Sequence, residues 1–227
     1  MIKTVFLDLD DTLFDFHRSE REAISLTLLH FGIEPTEAVK KRYSQINRSM
    51  WEELELGNMT REEILVRRFE LLFAELRVDV CGMDARHTYE WELGGSYFYI
   101  EGAEAILSEL SEKYDLYLMS NGTAAVQDRR IAASGIAKYF KGLFISEKIG
   151  YNKPSREFFE RCFAKIPDFD RESAIIIGDS LSSDIQGGIN AGIKTCHYNP
   201  AGVKKDGPTP DYTVNSLSEL PALLESL

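Results

Sequence analysis

The chain has little of what defines several protein classes. Its three cysteines, Cys81, Cys162 and Cys196, are far apart and form no Cys-x-x-Cys pair, which argues against a disulfide framework and fits a reducing compartment. The four histidines, His17, His30, His87 and His197, are equally scattered and offer no zinc-type spacing. No apolar run approaches the roughly 18 residues needed to span a bilayer. The apolar start, Met1 to Phe14, carries Asp8, Asp10 and Asp11, which the hydrophobic region of a secretory signal does not tolerate. A cytoplasmic protein with no membrane partner is therefore expected. Positive charge is also short: 26 Lys and Arg face 37 Asp and Glu, a net charge of −11. That balance excludes broad electrostatic binding to a nucleic acid polymer or an anionic lipid surface, which are held mainly by Lys and Arg. Any phosphorylated partner has to be gripped locally.

What is present is an ordinary globular composition, 44% hydrophobic and 28% charged over 227 residues. At roughly 150 residues per domain this suits one large domain or a domain with a sizeable insertion. Val5-Phe6-Leu7-Asp8-Leu9 reads as a short buried strand ending in acids. The next stretch changes character. Helical patterns run from His17 to Phe31, from Pro35-Thr36 to about Leu56, from a capping box at Thr60 to Glu63 through about Leu76, and from about Asp84 to Tyr97. After Glu101-Gly102 helix and strand alternate: helix Ala103–Lys113, strand Asp115–Ser120, helix Ala124–Ala133, strand Gly142–Ser146, helix Ser155–Ala164, strand Ala174–Gly178. A helix over about Asp184–Asn190 follows, with Ser183 and Gln186 spaced as a capping box, and then strand Lys194–Tyr198. Tyr212–Val214 reads as a short last strand, and Leu217, Leu220, Leu224 and Leu227 share one face of a closing helix that starts at Ser216 and Glu219. Ala201–Pro210, with Gly, Lys and Pro, is the expected exposed loop.

Alternation of this kind implies an α/β fold, a Rossmann-like parallel sheet with helices on both faces. The first strand has to join the later ones, so residues 1–13 and 101–227 form the expected core and 14–100 an all-helical insertion.

In an open parallel sheet, ligands bind beyond the carboxyl ends of the strands. Those ends read Asp8-Leu9-Asp10-Asp11-Thr12, Ser120-Asn121-Gly122, and Gly178-Asp179 with Asp184 five residues on, while Lys153-Pro154 follows the third strand of the alternating set. Asp8 and Asp10, two apart on an extended segment, project to one side, and Asp11 to the other. Asp8, Asp10, Asp179 and Asp184 gathered at one edge would need more compensation than Lys153 alone supplies. A hard divalent cation provides it, and magnesium suits oxygen ligands beside a substrate phosphate. The same set supports phosphoryl chemistry. A carboxylate nucleophile splits hydrolysis into two steps, and a second carboxyl protonates the leaving oxygen and later activates water. Ser120, with the amides after it, and Lys153 would hold the phosphoryl oxygens.

These four strand-end segments, in this order and spacing, resemble the motifs of the haloacid dehalogenase-like hydrolase superfamily, and the helical insertion resembles the cap of its capped phosphatases. The resemblance implies Asp8 as nucleophile, Asp10 as acid/base and Thr12 as a support for the loop. It implies Ser120, Asn121 and Lys153 as phosphate-binding residues. Magnesium would be held by the Asp8 side chain, the Asp10 backbone carbonyl and Asp179, with Asp184 behind them orienting coordinated water or Lys153. Asn47-Arg48-Ser49-Met50-Trp51, Gly57-Asn58-Met59-Thr60, Arg68-Phe69 and Gly187-Gly188-Ile189-Asn190-Ala191-Gly192 resemble the bacterial pyrimidine 5′-nucleotidase branch. That implies a small phosphorylated metabolite, a nucleoside 5′-monophosphate, as substrate, with a sugar phosphate or another small phosphoester as the alternative.

Each piece also has a plainer reading. Asp-x-Asp at a strand end is more often a turn or helix cap, Ser-Asn-Gly a turn, and Lys-Pro a loop dipeptide; their joint appearance at successive strand ends carries the catalytic reading. Asp11 reads as a turn residue, Gly187 and Gly188 as sites of close helix packing, and Lys40, Lys41, Arg67 and Arg68 as a solvated face. Asn47 and Trp51, four apart on one helix face, are candidates to touch the leaving group, although a helical Trp is usually core. Four competitors remain, one of them a non-enzymatic protein that keeps the fold only to bind a partner. A carbon-attacking dehalogenase lacks the second Asp, a phosphonatase needs a cap lysine with a supporting motif, and a phospho-acceptor receiver lacks the helical insertion.

Overall fold

The structure, a computed structural model, describes residues 1–203 and 206–227. Six strands form one parallel sheet: β1 (Thr4–Leu7), β2 (Asp115–Ser120), β3 (Gly142–Ile145), β4 (Ala174–Gly178), β5 (Lys194–Tyr198) and β6 (Tyr212–Val214). Their order is β3-β2-β1-β4-β5-β6, and every pairing is parallel. The amino-terminal strand therefore sits in the middle, with Thr4 in register with Asp115 on one side and Ala174 on the other. All four residues of β1 and all five of β4 are buried, as expected of parallel strands covered on both faces.

Successive side chains leave the sheet on opposite sides. Val5, Leu7, Leu116, Leu118, Ile175 and Ile177 enter one apolar layer, which includes residues of α5 (Ala103–Ser111) and α10 (Leu220–Glu225). Phe6, Tyr117, Met119, Phe144 and Ile176 enter the other. There they meet α8 (Arg156–Phe163) and α9 (Gln186–Ala191). Two remaining helices border the sheet, α6 (Ala124–Ser134) and the short α7 (Ser146–Ile149), the latter absent from the sequence reading. Gly188 explains the close approach of α9. A Cβ there would lie 2.6 Å from methyls of Ile176 and Thr195, so the packing reading of that glycine holds.

Between β1 and α5 come α1 (Phe16–His30), α2 (Glu37–Glu55), α3 (Arg61–Leu76) and α4 (Gly82–Gly95). They share their own apolar cluster around Tyr43, Phe69 and Tyr89, to which α6 contributes Val126. Thr36 caps α2, and Thr60 with Glu63 forms a complete capping box on α3. The chain enters and leaves this helical unit through two adjacent segments. Phe14 and Tyr99 form an antiparallel bridge, Asp15 N–H donates to the Phe98 carbonyl at 2.8 Å, and Ile100 N–H to that of Leu13 at 2.9 Å.

One expected helix start is wrong. Ser183 and Gln186 do not form a capping box; the chain instead makes a wide π-type turn over Leu181–Ile185 before α9, and Ser180 Oγ accepts from Ser183 N–H. The cause lies in the site, because Asp184 is drawn inward by Lys153 Nζ and Ser180 N–H and cannot serve as an exposed first-turn acid. The described residues of 201–210 are exposed or half-buried as expected, and Lys204 and Lys205 of that loop lie outside the described residues. Among the described residues no helix is long and apolar enough to cross a membrane.

Candidate active site

The carboxyl ends of β1, β2 and β4 and the loop after α7 open into a cavity of about 660 Å³, roofed by α1, α2, α3 and α4. Lys153 sits at its floor and is buried. Its Nζ donates to Asp8 Oδ1 at 2.5 Å, Asp184 Oδ1 at 2.6 Å and the Met119 carbonyl at 2.8 Å, so all three ammonium protons have acceptors. Asp184 Oδ2 accepts from Ser180 N–H at 3.1 Å. Gly178 makes room for that carboxylate, since a Cβ there would lie 2.2 Å from Asp184 Oδ2. Thr12 ties its loop to the neighbouring strand end, its Oγ1 accepting from Asp179 N–H at 3.1 Å.

One carboxylate oxygen from each of Asp8, Asp179 and Asp184 lies within 4.8 Å of the others. Burial pushes Asp8 up to about 8 in spite of Lys153, with Asp184 adding to the rise. Burial, then the charges of Asp8 and Asp184, also hold Asp179 well above the carboxylate range. For Lys153 burial works toward the neutral form, but Asp184 and Asp8 outweigh it and keep the ammonium charged. Three close carboxyl groups with one lysine form an oxygen donor set whose ionised form has surplus negative charge, and a hard divalent cation fits that form. Asp184, expected behind the ligands, stands within this cluster. The Asp10 carboxylate turns elsewhere, which is compatible with a ligand role for its backbone carbonyl.

Asp10 is gripped at both oxygens. Arg130 Nη1 donates to Oδ1 at 2.5 Å and Gln127 Nε2 to Oδ2 at 2.6 Å. The Gln127 amide also donates to Ser120 Oγ at 2.9 Å. Arg130 is fully buried, and its Nη2 has no partner among the described residues, which costs the fold about 1–3 kcal/mol. Neither Gln127 nor Arg130 was singled out from the sequence. The signal was there: both fall on the same stripe of α6 as the buried Val126 and Ile131, where an amide and a guanidinium need a reason.

Asn121 lies beside Lys153. Its side chain clasps the backbone of Lys153, accepting from Lys153 N–H and donating to the Lys153 carbonyl, both at 2.9 Å. Arg61, also missed, reaches from α3 to the Asn121 carbonyl at 2.8 Å, Ser146 Oγ at 2.6 Å and Asn152 Oδ1 at 2.5 Å. Asp11 behaves as a turn residue at φ 59°, its carboxylate accepting from Phe16 and His17 N–H.

The helical wall carries a buried polar chain. Asn47 Nδ2 donates to Glu20 Oε1 at 2.7 Å, and Asn47 Oδ1 accepts from Arg68 Nη1 at 2.8 Å. Arg68 lies over the Tyr89 ring at 4.7 Å. Arg68 is thus not on a solvated face, because α3 turns it inward beside Phe69 while Arg67 stays outside with Glu70. Trp51 is half-buried and lines the cavity with Asn47.

Comparison with known proteins gives the same direction. Residues 2–192 match the haloacid dehalogenase-like hydrolase family. The HAD-hydrolase YfnB of Bacillus subtilis (strain 168) is 37% identical over 220 residues, covering 96% of this chain and 93% of that protein. The pyrimidine 5′-nucleotidase PynA of Streptococcus pneumoniae (strain ATCC BAA-255 / R6) has the same identity and coverage. A crystal structure of YfnB bound to magnesium superposes with a TM-score of 0.94 at 37% identity, over 98% of both chains. The L-2-haloacid dehalogenase of Xanthobacter autotrophicus, at 16% identity and a TM-score of 0.79 over the full length of both chains, shares the fold. Sequence match, end-to-end relatives and strand-end motifs agree, and the chain belongs to the haloacid dehalogenase-like hydrolase family.

Proposed function

We propose that the protein is a magnesium-dependent phosphomonoester hydrolase of the cytoplasm, acting on nucleoside 5′-monophosphates with pyrimidine bases favoured. The observation that carries this is Asp8, buried against Lys153 at the mouth of β1, with Asp10 two residues on and facing the same cavity. In the first step an Asp8 oxygen attacks phosphorus, the bond to the leaving oxygen breaks, and Asp10 gives that oxygen its proton. In the second, water attacks the same phosphorus, its proton passes to Asp10, and Asp8 recovers its carboxylate as inorganic phosphate departs. Lys153, the Ser120 hydroxyl and the backbone amides from Asn121 onward hold the phosphoryl oxygens. Magnesium, held by Asp8, the Asp10 carbonyl and Asp179, would shield the nucleophile from the anion it attacks. Asp184 would keep Lys153 and the metal's water in place.

Residues 14–100 would act as a cap over the core of 1–13 and 101–227, excluding bulk water from the reaction. Asn47, Trp51 and their buried neighbours Glu20 and Arg68 would meet the leaving group. The nucleotide reading is supported by relatives named pyrimidine 5′-nucleotidases, one in Streptococcus pneumoniae and one in Escherichia coli (strain K12). Asp10 is what a carbon-attacking dehalogenase would lack, and free cysteines suit a reducing compartment.

The test is phosphate release from the purified protein with Mg²⁺ across p-nitrophenyl phosphate, nucleotides, sugar phosphates and cofactor phosphates. Pyrimidine monophosphates in front support the full reading. A sugar phosphate far ahead of every nucleotide removes the nucleotidase part, and no release from any phosphoester removes the phosphatase itself.

A further inference from the structure

Asp10 reaches the cavity from a loop, yet its carboxylate has a fixed direction. Arg130 Nη1 and Gln127 Nε2 each take one of its oxygens, and Arg130 Nη1 also donates to Gln127 Oε1 at 3.0 Å, so the two side chains form one rigid fork. Both are buried, whereas the Asp10 side chain is 25% exposed. The fork has two further attachments. Gln127 Nε2 also donates to Ser120 Oγ, the hydroxyl at the phosphate end of the site. Arg130 Nε donates to the Ser96 carbonyl at 3.1 Å, and its guanidinium lies 5.3 Å from the centre of the Phe14 ring. Ser96 and Phe14 belong to the two segments by which the chain leaves and enters the helical unit.

We infer that Gln127 and Arg130 are positioning residues for Asp10, aiming its carboxylate at the bond between phosphorus and leaving oxygen and keeping that aim in register with Ser120 and with the two chain crossings. The inference rests on the acid/base role proposed for Asp10 and goes beyond it in naming what orients the group. Nη2 of Arg130, without a partner among the described residues, is a second sign. A guanidinium placed for stability alone would not leave a buried nitrogen unpaired.

Leaving-group chemistry provides the test. p-Nitrophenolate departs without a proton, so transfer of its phosphoryl group to Asp8 does not need Asp10; the second step needs Asp10 to take the proton of water whatever the substrate was. Arg130→Met is expected to lower kcat about 10²-fold, the scale of a misplacement near 1 Å, with KM little changed for a nucleotide and falling along with kcat for p-nitrophenyl phosphate. Rapid mixing with p-nitrophenyl phosphate should then show a burst near one equivalent of p-nitrophenolate followed by slow turnover, and a nucleotide should show no burst of nucleoside. Gln127→Met is expected to give the same pattern about tenfold more weakly, and it covers the case in which Arg130→Met fails to fold. Arg130→Lys, which keeps a donor, should recover part of the rate.

Native turnover without a burst in folded Arg130→Met and Gln127→Met, beside an inactive Asp10→Asn, overturns the inference and leaves the phosphatase reading intact. Normal turnover by Asp10→Asn instead removes the acid/base role on which it stands. Activity that falls only with the folded fraction, without a burst, marks a structural role and also overturns it.

Discussion

The floor and the wall of the cavity are built differently. On the floor, Asp8, Ser120, Gly178 and Asp179 sit at the ends of hydrogen-bonded parallel strands, and a single lysine satisfies all of its donors there. On the wall, Glu20, Asn47 and Arg68 come from three helices and hold one another through side chains alone. Backbone geometry therefore places the groups proposed for chemistry, and rotamers place those proposed for selection. A helix can exchange its inward residues without moving its neighbours, whereas a strand end cannot move without its sheet.

The largest effect that separates the two regions is expected from Asp8→Asn, which should lower kcat for p-nitrophenyl phosphate by about 10⁴-fold or more. Undiminished activity would remove the nucleophile assignment. Chelation comes next. Loss of activity should accompany a fall in thermal midpoint, because a ligand at a hundred times its Kd stabilises by about 2.7 kcal/mol. Mg²⁺ should restore both in the native protein and neither in Asp179→Asn.

Gly188→Ala sharpens the contrast from the core side. Its Cβ meets Ile176 and Thr195 at 2.6 Å, so denaturant unfolding should show a loss of about 1–3 kcal/mol with kcat per folded molecule unchanged. Asn47→Ala probes the wall, and should raise KM for nucleotides about tenfold, which is about 1.4 kcal/mol, while leaving p-nitrophenyl phosphate alone. An equal fall in kcat for both substrates would break the division between floor and wall. The smallest effect belongs to the outer surface of the helical unit. Arg67 and Glu70 pair at 3.1 Å with both side chains about half exposed, and Arg67→Ala should cost no more than about 0.5 kcal/mol.

The same division explains what could be read in advance. Strands such as Ala174–Gly178 declare themselves as short apolar runs, and the polar residues that end them share one edge by topology alone. Asp8, Ser120, Lys153 and Asp179 are legible for that reason. Arg130 is separated from Asp10 by 120 positions, and no local pattern announces such a pair. Arg68 looked solvated because charge is ordinarily a surface property; its burial depends on Asn47 and Tyr89, which lie on two other helices. The start of α9 was misplaced because Asp184 answers to Lys153 across the sheet rather than to its own helix.

The central position of β1 has a consequence for how the molecule comes into being. Thr4 leaves the ribosome well before its partners, Asp115 and Ala174. At about 5–20 residues per second, the first of these follows only after roughly 5 s or more. The α1–α4 unit can gather around Tyr43 and Phe69 in the meantime, since all four of its helices precede Asp115. A nascent chain thus carries an apolar, unpaired Val-Phe-Leu ahead of a half-assembled body. Deleting Thr4–Leu7 removes the middle of the sheet rather than its margin.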